Sequence, residues 1–177
     1  MRELLSFAAG IALALLPVAA GNAMAEGAPM LAPGGELDPA YPNADVYKIK
    51  PPEPALPPGA GCAMAKRYVD FVNAGEYAAV AALFADDATF LEPMRPNLRG
   101  RQQIDEFYTK RIGTMQPQIA PVAYFGDERE CMVELALNTE IGGEMRWVLV
   151  SMDHFIVGDH GRIASMTAFA RPPRSEE

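Results

Sequence analysis

The chain has little of the machinery that most enzymes use. Its 177 residues include two cysteines, one tryptophan and two histidines, and neither His154 nor His160 has carboxylate or thiol partners at metal-ligand spacing. The sequence contains no nucleophile elbow and no glycine-rich phosphate loop. These absences argue against covalent hydrolysis and nucleotide chemistry, and they predict neither a bound metal nor a cofactor.

The chain also lacks an excess of positive charge and, after Ala20, any long apolar run. Lys and Arg total 15 against 23 Asp and Glu, which gives a formal net charge of −8 at pH 7. Because an acidic protein repels phosphate backbones, nucleic acid is not expected as a partner. The chain after its first segment is not expected to associate with a membrane.

The first segment has the pattern of a secretory signal. Arg2 precedes an apolar run that ends at Ala20 and is interrupted by Pro17, and an Ala-Met-Ala sequence ends at Ala25. The alternative, a buried helix, would place Gly10 and Pro17 in its interior at a cost in stability. We therefore predict a signal peptide over residues 1–25, cleaved after Ala25, and a secreted or periplasmic protein.

Proline dominates the next segment. Nine of the 16 prolines fall within residues 26–61, so this stretch can form few backbone ladders and is predicted to be an extended tail or linker. Disorder is one alternative, and docking on the domain is another, through the apolar side chains of Tyr41, Val46, Tyr47 and Ile49. A single domain is then expected over residues 62–172, followed by a polar tail at 173–177.

Within the domain, the hydrophobic period changes from helical to alternating. Helical spacing predicts three helices, at residues 62–72, 76–84 and 101–112. Alternation predicts five strands, at residues 88–92, 119–125, 130–138, 145–157 and 162–170. The order predicts an α+β fold, a cone-shaped barrel in which a strongly curved antiparallel sheet wraps around about three N-terminal helices.

An apolar pocket is expected between the helices and the sheet. Tyr68 and Val72 are four residues apart and share a helix face. Strict alternation would place Val150, Met152 and His154 together on one face of their strand, and Met166 and Ala168 together on one face of theirs. Both faces are expected to line the pocket. The predicted pocket residues are Val72, Phe84, Phe90, Val150, His154, Met166 and Ala168.

Four stretches of the domain carry a resemblance to a known family. They are residues 65–72, 84–89, 100–108 and 159–163. Through them the chain resembles the nuclear transport factor 2-like superfamily, and within it the ketosteroid isomerases and the SnoaL-like group. The resemblance implies the cone fold, a homodimer, and a small apolar ligand held in the cone without a cofactor.

The resemblance also implies catalytic roles. Tyr68 matches a phenol that donates to the developing enolate oxygen, Tyr108 matches a second phenol that supports it, and Glu92 falls where the isomerases keep an aspartate base. Ketosteroid isomerases are themselves the standard case of a tyrosine paired with a protonated aspartate in the oxyanion hole. The alignment places that aspartate at Val150, which cannot donate, and alternation puts Asp153 on the opposite face.

Several of these residues also have plainer interpretations. Glu92 is either a base or a carboxylate paired with a nearby arginine, and Tyr108 is either catalytic or a core residue. Asp86 and Asp87 indicate a helix end followed by a turn. Cys62 and Cys131 either form a disulfide across 69 positions or remain buried thiols.

Three functions remain open from the sequence. The first is an exported ketosteroid isomerase-like enzyme, or a related lyase or hydrolase, that moves a proton beside the carbonyl group of a small apolar compound. The second is a protein that binds such a compound without chemistry, which Val150 in place of a donor favours. The third is a dimerising scaffold domain.

Overall fold

A computed structural model describes residues 35–41, 45–93 and 96–171. The predicted signal peptide, the start of the proline-rich segment and the polar tail at 173–177 lie outside the described residues. The order of elements is that of a mixed α+β domain, with the main helices N-terminal to most of a curved sheet. No described helix has both the length and the apolar character needed to cross a membrane.

Two helices open the domain. The first, α1, spans Ala60–Ala74 and ends at Gly75, whose left-handed backbone (φ 72°) lets its N–H bond the helix carbonyls. The second, α2, spans Tyr77–Ala82. After a strand, α3 spans Arg101–Phe107 and continues as a π-helical turn over Tyr108–Ile112 and a last turn over Gly113–Met115.

The described strands form one seven-stranded sheet. Their bounds are β1 Val46–Tyr47, β2 Phe84–Leu91, β3 Leu98–Arg99, β4 Ile119–Gly126, β5 Glu130–Ile141, β6 Glu144–Val157 and β7 Ile163–Ala170. Their order across the sheet is β3-β2-β7-β6-β5-β4, with β1 paired to β6 beyond the end of β7. Adjacent pairs are antiparallel except β2 and β7, which run parallel. The inner face packs on α1 and α3 through one core cluster.

The predicted start of β2 was wrong. We expected Asp86 and Asp87 to end a helix and begin a turn, but the strand begins at Phe84 and includes both residues. Its pairing with β7 is irregular between Phe84 and Thr89, so the two exposed aspartates occupy a bulged stretch of strand. Asp86 pairs there with Arg101, and their charged groups lie 2.7 Å apart. Turn-forming residues are compatible with a strand at such an irregularity.

The described part of the proline-rich segment docks on the domain. Residues 36–38 and 46–48 form a short antiparallel ladder, with Asp38 N–H bonding Val46 O and Lys48 N–H bonding Glu36 O. Val46 and Tyr47 are buried and pair with Val148 and Trp147 of β6. Of the two alternatives for these residues, the structure has docking rather than disorder.

A disulfide joins α1 to β5. Cys62 and Cys131 are bonded, with their Cα atoms 4.9 Å apart, and both residues are fully buried. The bond closes a loop of 69 positions, which corresponds to roughly 4 kcal/mol of stability in the chain-entropy model. The structure therefore has the disulfide and not the pair of free thiols.

Candidate active site

Two phenols meet at the centre of the core. Tyr68, in the middle of α1, and Tyr108, at the end of α3, are both buried. The hydroxyl of Tyr108 donates to the hydroxyl of Tyr68 across 3.1 Å. Because Tyr108 satisfies Tyr68 as an acceptor, the hydroxyl proton of Tyr68 is left to be donated elsewhere.

Aromatic rings hold the phenol pair in place. The ring of Tyr108 stacks on Phe90 at 6.2 Å and meets Phe107 edge-on at 5.3 Å. The ring of Tyr68 lies 5.1 Å from that of Phe155 on β6. The sulfur of Met166 lies 3.9 Å from the Tyr108 hydroxyl. Apolar surroundings raise the pKa of both phenols, so at neutral pH each keeps its proton and acts as a donor.

A bulge in β6 decides which side chains face these phenols. Leu135 of β5 pairs with Ser151 and the next residue, Ala136, pairs with Leu149, so Val150 is an extra residue in β6. An extra residue shifts the alternation of the strand by one position. Ser151 and Asp153 therefore face inward, opposite the core residues Leu135 and Val133.

Asp153 lies on the inner face of β6, although strict alternation predicted the opposite face. Its side chain is 4% exposed, and among the described residues its Oδ1 atom has no hydrogen-bond partner. Burial raises the pKa of Asp153 to about 7, and the neighbouring Ser151 side chain partly offsets this. The charge of Asp153 in turn raises the pKa of both Tyr68 and Tyr108, which follows from their proximity. A buried carboxyl that is protonated near neutrality can donate a hydrogen bond beside Tyr68.

Glu92 follows the last residue of β2 and lies on the same side of the sheet. Phe90 is buried and pairs with Met166, and Leu91 is exposed and pairs with Thr167, so the next position is opposite Ala168 on the inner side. The Oε2 atom of Glu92 is buried. Ala168 itself pairs with Asp153. The two carboxyl-bearing residues are thus on strands separated by β7, or about 10 Å between their backbones.

The other predicted pocket residues divide into two groups. Val72, Phe84, Phe90 and Met166 are buried in the core cluster, and Ala168 packs against it. Val150 and His154 were assigned to the wrong face, because strict alternation was carried across the bulge. Val150 is the bulged residue, and His154 faces outward, where its Nε2 lies 3.1 Å from Glu130 Oε2.

The sequence offered one signal for the residue that was missed. Asp153 is the one acidic residue between Met145 and Val157, in a strand otherwise rich in apolar residues. A carboxylate in such a strand lies either in solvent or in the core. Which of the two applies depends on the phase of the strand, that is, on which face each residue occupies. That phase depends on the bulge.

Taken together, the inner face brings Tyr68, Tyr108 and Asp153 into one buried group and sets Glu92 across Ala168 from it. The arrangement contains a carboxylate that can accept a proton and two neutral donors that can bind a developing oxyanion. Within the described ranges, no group of three or more His, Cys, Asp or Glu residues could hold a metal ion.

The domain is similar in sequence to a known isomerase. A steroid Delta-isomerase from Nocardioides simplex is 33% identical over 108 residues, which are 60% of this chain and 85% of that protein.

Solved structures share the fold at lower identity. SalBIII, described as an epoxide hydrolase/cyclase-like enzyme in pyran ring formation, has 22% identity and a TM-score of 0.53, covering 62% of this chain and 89% of that one. RV0760c from Mycobacterium tuberculosis, solved in complex with estradiol-17beta-hemisuccinate, has 17% identity and a TM-score of 0.54, covering 63% and 94%. The SnoaL-like domain model matches residues 65–166, more than half of the chain, and the chain therefore belongs to the SnoaL-like family.

Proposed function

We propose that this domain catalyses a cofactor-independent, isomerase-type proton transfer on a small apolar carbonyl compound. The observation that carries the proposal is the buried Tyr68–Tyr108 pair together with the buried carboxyl of Asp153, whose Oδ1 atom has no hydrogen-bond partner among the described residues, with Glu92 one strand away. The 33% identity to a steroid Delta-isomerase supports the same reaction class.

Glu92 acts as the base in this proposal. Its carboxylate takes a proton from the carbon beside the substrate carbonyl, and the C–H electron pair becomes the C=C bond of an enolate while the carbonyl electrons move to oxygen. The same carboxyl group then returns the proton to a different carbon. A carboxylate shuttle of this kind needs no metal and contributes roughly 100- to 10,000-fold to the rate.

Tyr68 and Asp153 bind the enolate oxygen. Both side chains are buried, so their hydrogen bonds form in a medium of low dielectric constant and need little reorganisation during the reaction. Tyr108 donates to Tyr68 and thereby orients its hydroxyl toward the substrate. With Asp153 as a second donor, the main objection that the sequence raised against efficient isomerisation, a valine in the donor position, no longer applies.

The substrate class follows from the lining of the inner face. Phe90, Met166, Ala168 and Phe155 offer aromatic and aliphatic surface, and the polar groups are confined to the site of proton transfer. We therefore expect a rigid apolar ketone with a double bond one carbon removed from conjugation. A fold neighbour solved with a steroid derivative supports a ligand of this shape.

A direct test uses a β,γ-unsaturated ketosteroid as probe. Its conversion to the conjugated isomer raises the ultraviolet absorbance, and a run in D₂O reports exchange at the carbon beside the carbonyl. We expect both isomerisation and exchange. Tight binding of the probe with neither isomerisation nor exchange would contradict the proposal.

That contradicting outcome defines the second candidate, a binding protein for the same class of ligand. The observation that favours it is the estradiol-17beta-hemisuccinate complex of a protein with the same fold. The matched control is Glu92→Gln. A catalyst loses turnover in this variant and keeps its affinity, whereas a binding protein has no turnover to lose.

We also propose that the protein is exported and works as a homodimer. The buried disulfide between Cys62 and Cys131 supports an oxidising compartment. The apolar side chains of Phe169 and Ile156 on the outer face of the sheet are exposed, which supports pairing with a second copy. N-terminal sequencing of the protein from its native host and light scattering of the purified protein test the two proposals separately.

A further inference from the structure

The docked segment replaces β7 as the partner of β6 at the bulge. On one side of Val150, Ser151 pairs with Ala170, and the N–H of Arg171 donates to Val150 O at 2.7 Å. On the other side, the N–H of Leu149 donates to Asp45 O at 3.2 Å, and β1 begins. The segment therefore lengthens the wall of the cone beyond the end of β7. It lies before residues 65–166, the part that the family model matches.

Ion pairs fix this segment against the sheet. The carboxylate of Asp38 is buried and accepts from Nε of Arg146 at 2.8 Å. Asp45 forms a second ion pair with Arg171, the residue that follows β7. Because both arginines belong to the body of the domain, the segment is held at the Asp38–Val46 end of its hairpin, by one ion pair from each strand.

The pairing register gives Val46 an inward position. Val46 pairs with Val148, and Val148 pairs with Leu137, which packs against the core cluster. Paired residues in a sheet project their side chains to the same face. Val46 therefore projects to the inner face and is 2% exposed.

The distance from Val46 to the proposed chemistry can be estimated from the strands. Counting outward from Asp153, the inward positions of β6 are Ser151 and then Val148, which is Val46's partner. Successive inward rows lie about 7 Å apart along a strand, so the second row is about 14 Å from Asp153. A fused four-ring skeleton bound by its oxygen at Asp153 is long enough to approach this row, and a two-ring compound is not.

We infer that the docked strand is the far wall of the ligand site and that Val46 selects ligands by length. The inference rests on the proposed function only in taking Asp153 and Tyr68 as the polar end of the site. Long, rigid apolar ligands contact Val46 and the segment that carries it. Short ligands with the same polar end bind without reaching that row.

The test compares two phenols that share one end. Estradiol and 5,6,7,8-tetrahydro-2-naphthol present the same phenol and adjoining ring, but the second lacks the distal two rings. Val46→Trp is expected to weaken estradiol binding by about tenfold or more and to change tetrahydronaphthol binding by less than twofold, measured by isothermal titration calorimetry. The matched control is Ile49→Trp in the same segment, where the native side chain is 58% exposed and both affinities should be unchanged.

A second variant covers the case in which tryptophan prevents folding. Val46→Ala removes contact with the distal rings, and the loss of about one buried methyl contact predicts about a fourfold weaker affinity for estradiol alone. Equal effects on the two phenols, or none on either, would overturn the inference, as would failure of the unaltered protein to bind estradiol. Selection by length in a protein that shows no proton transfer would refute the proposed function and leave this inference standing.

Discussion

The two faces of β6 carry ionisable residues one position apart, and one of these side chains is buried whereas the other is partly exposed to solvent. Asp153 projects inward, is almost completely buried, and has its pKa raised to about 7. His154 projects outward, and its Nε2 atom lies 3.1 Å from Oε2 of the partly exposed Glu130. The inner face excludes water from the carboxyl group, and this raises its pKa. The outer face leaves its polar groups partly solvated, and a polar contact there contributes little to the free energy of unfolding.

One bulged residue separates these two outcomes. Without the extra residue at Val150, strict alternation would place His154 inside and Asp153 outside. The comparison therefore shows that the chemistry of the site depends on the phase of one strand. Each of the following predictions changes one face and leaves the other unaltered.

The largest effect is expected for Glu92→Gln at the inner edge of β2. Glutamine keeps the shape and cannot accept the proton, so turnover of a β,γ-unsaturated ketosteroid should fall by about 1,000-fold, within the usual range for a general base. Initial rates from ultraviolet absorbance measure this loss, and binding of estradiol should be retained. Unchanged turnover would remove Glu92 from the mechanism.

The next effect is expected for Asp153→Ala, which deletes an inward donor. Turnover should fall by roughly 100-fold, the usual loss for one oxyanion donor. A loss below threefold, in a protein with an unchanged circular dichroism spectrum, would contradict the role of Asp153.

Asp153→Asn is the matched control, because its amide donates but does not titrate. In the unaltered protein, turnover should decline as the pH rises above about 7, since Asp153 then loses its proton. Because the pKa of Asp153 is raised in the folded state, its contribution to the free energy of unfolding is fully present below pH 3.8 and is lost as the pH rises through about 7. The total loss is about 4 kcal/mol. Denaturant unfolding of the asparagine variant should lack this decline, and so should its pH–rate profile.

A smaller effect is expected for Tyr108→Phe. The variant removes the donor that orients Tyr68, and one neutral hydrogen bond corresponds to about a tenfold loss of turnover. Because Tyr108 acts through Tyr68 and does not touch the substrate, KM should change by less than twofold while kcat falls. An effect confined to KM would place Tyr108 in direct contact with the ligand.

The smallest effect is expected on the outer face, for His154→Gln. The partly exposed pair with Glu130 should contribute about 0.5 kcal/mol or less, and turnover should remain within twofold of the unaltered protein. Thermal unfolding and the same rate assay measure both quantities. A tenfold loss of turnover would mean that the two faces are not independent.

Much of the fold could be predicted because it depends on local patterns. Helical spacing around Tyr68 and alternation around Met166 each persist over enough residues to fix the element and its inner face. The resemblance likewise singled out Tyr68, Tyr108 and Glu92, whose roles remain predictions.

The remainder depends on tertiary contacts. Nothing in the run Leu149-Val150-Ser151 indicates an extra residue, since two adjacent apolar side chains fit either a bulge or a strand buried on both faces. Docking of the proline-rich segment was equally hidden, because Asp38 finds its partner 108 positions away at Arg146. Long-range charge pairing of this kind has no period that a sequence could reveal.

The bond between Cys62 and Cys131 has a practical consequence for anyone who prepares the protein. Cys131 pairs across the sheet with Phe155, whose ring lies against Tyr68, so the covalent link ends directly beside the residue that positions the first phenol. Expression in a reducing cytoplasm would yield material whose opening helix has no covalent link to β5 and is held by packing and by hydrogen bonds such as that from Asn73 to Ile119. Under the proposed function, such a preparation is expected to have a lower specific activity than periplasmic material of the same purity, and titration of free thiols in each batch checks the reason for the difference.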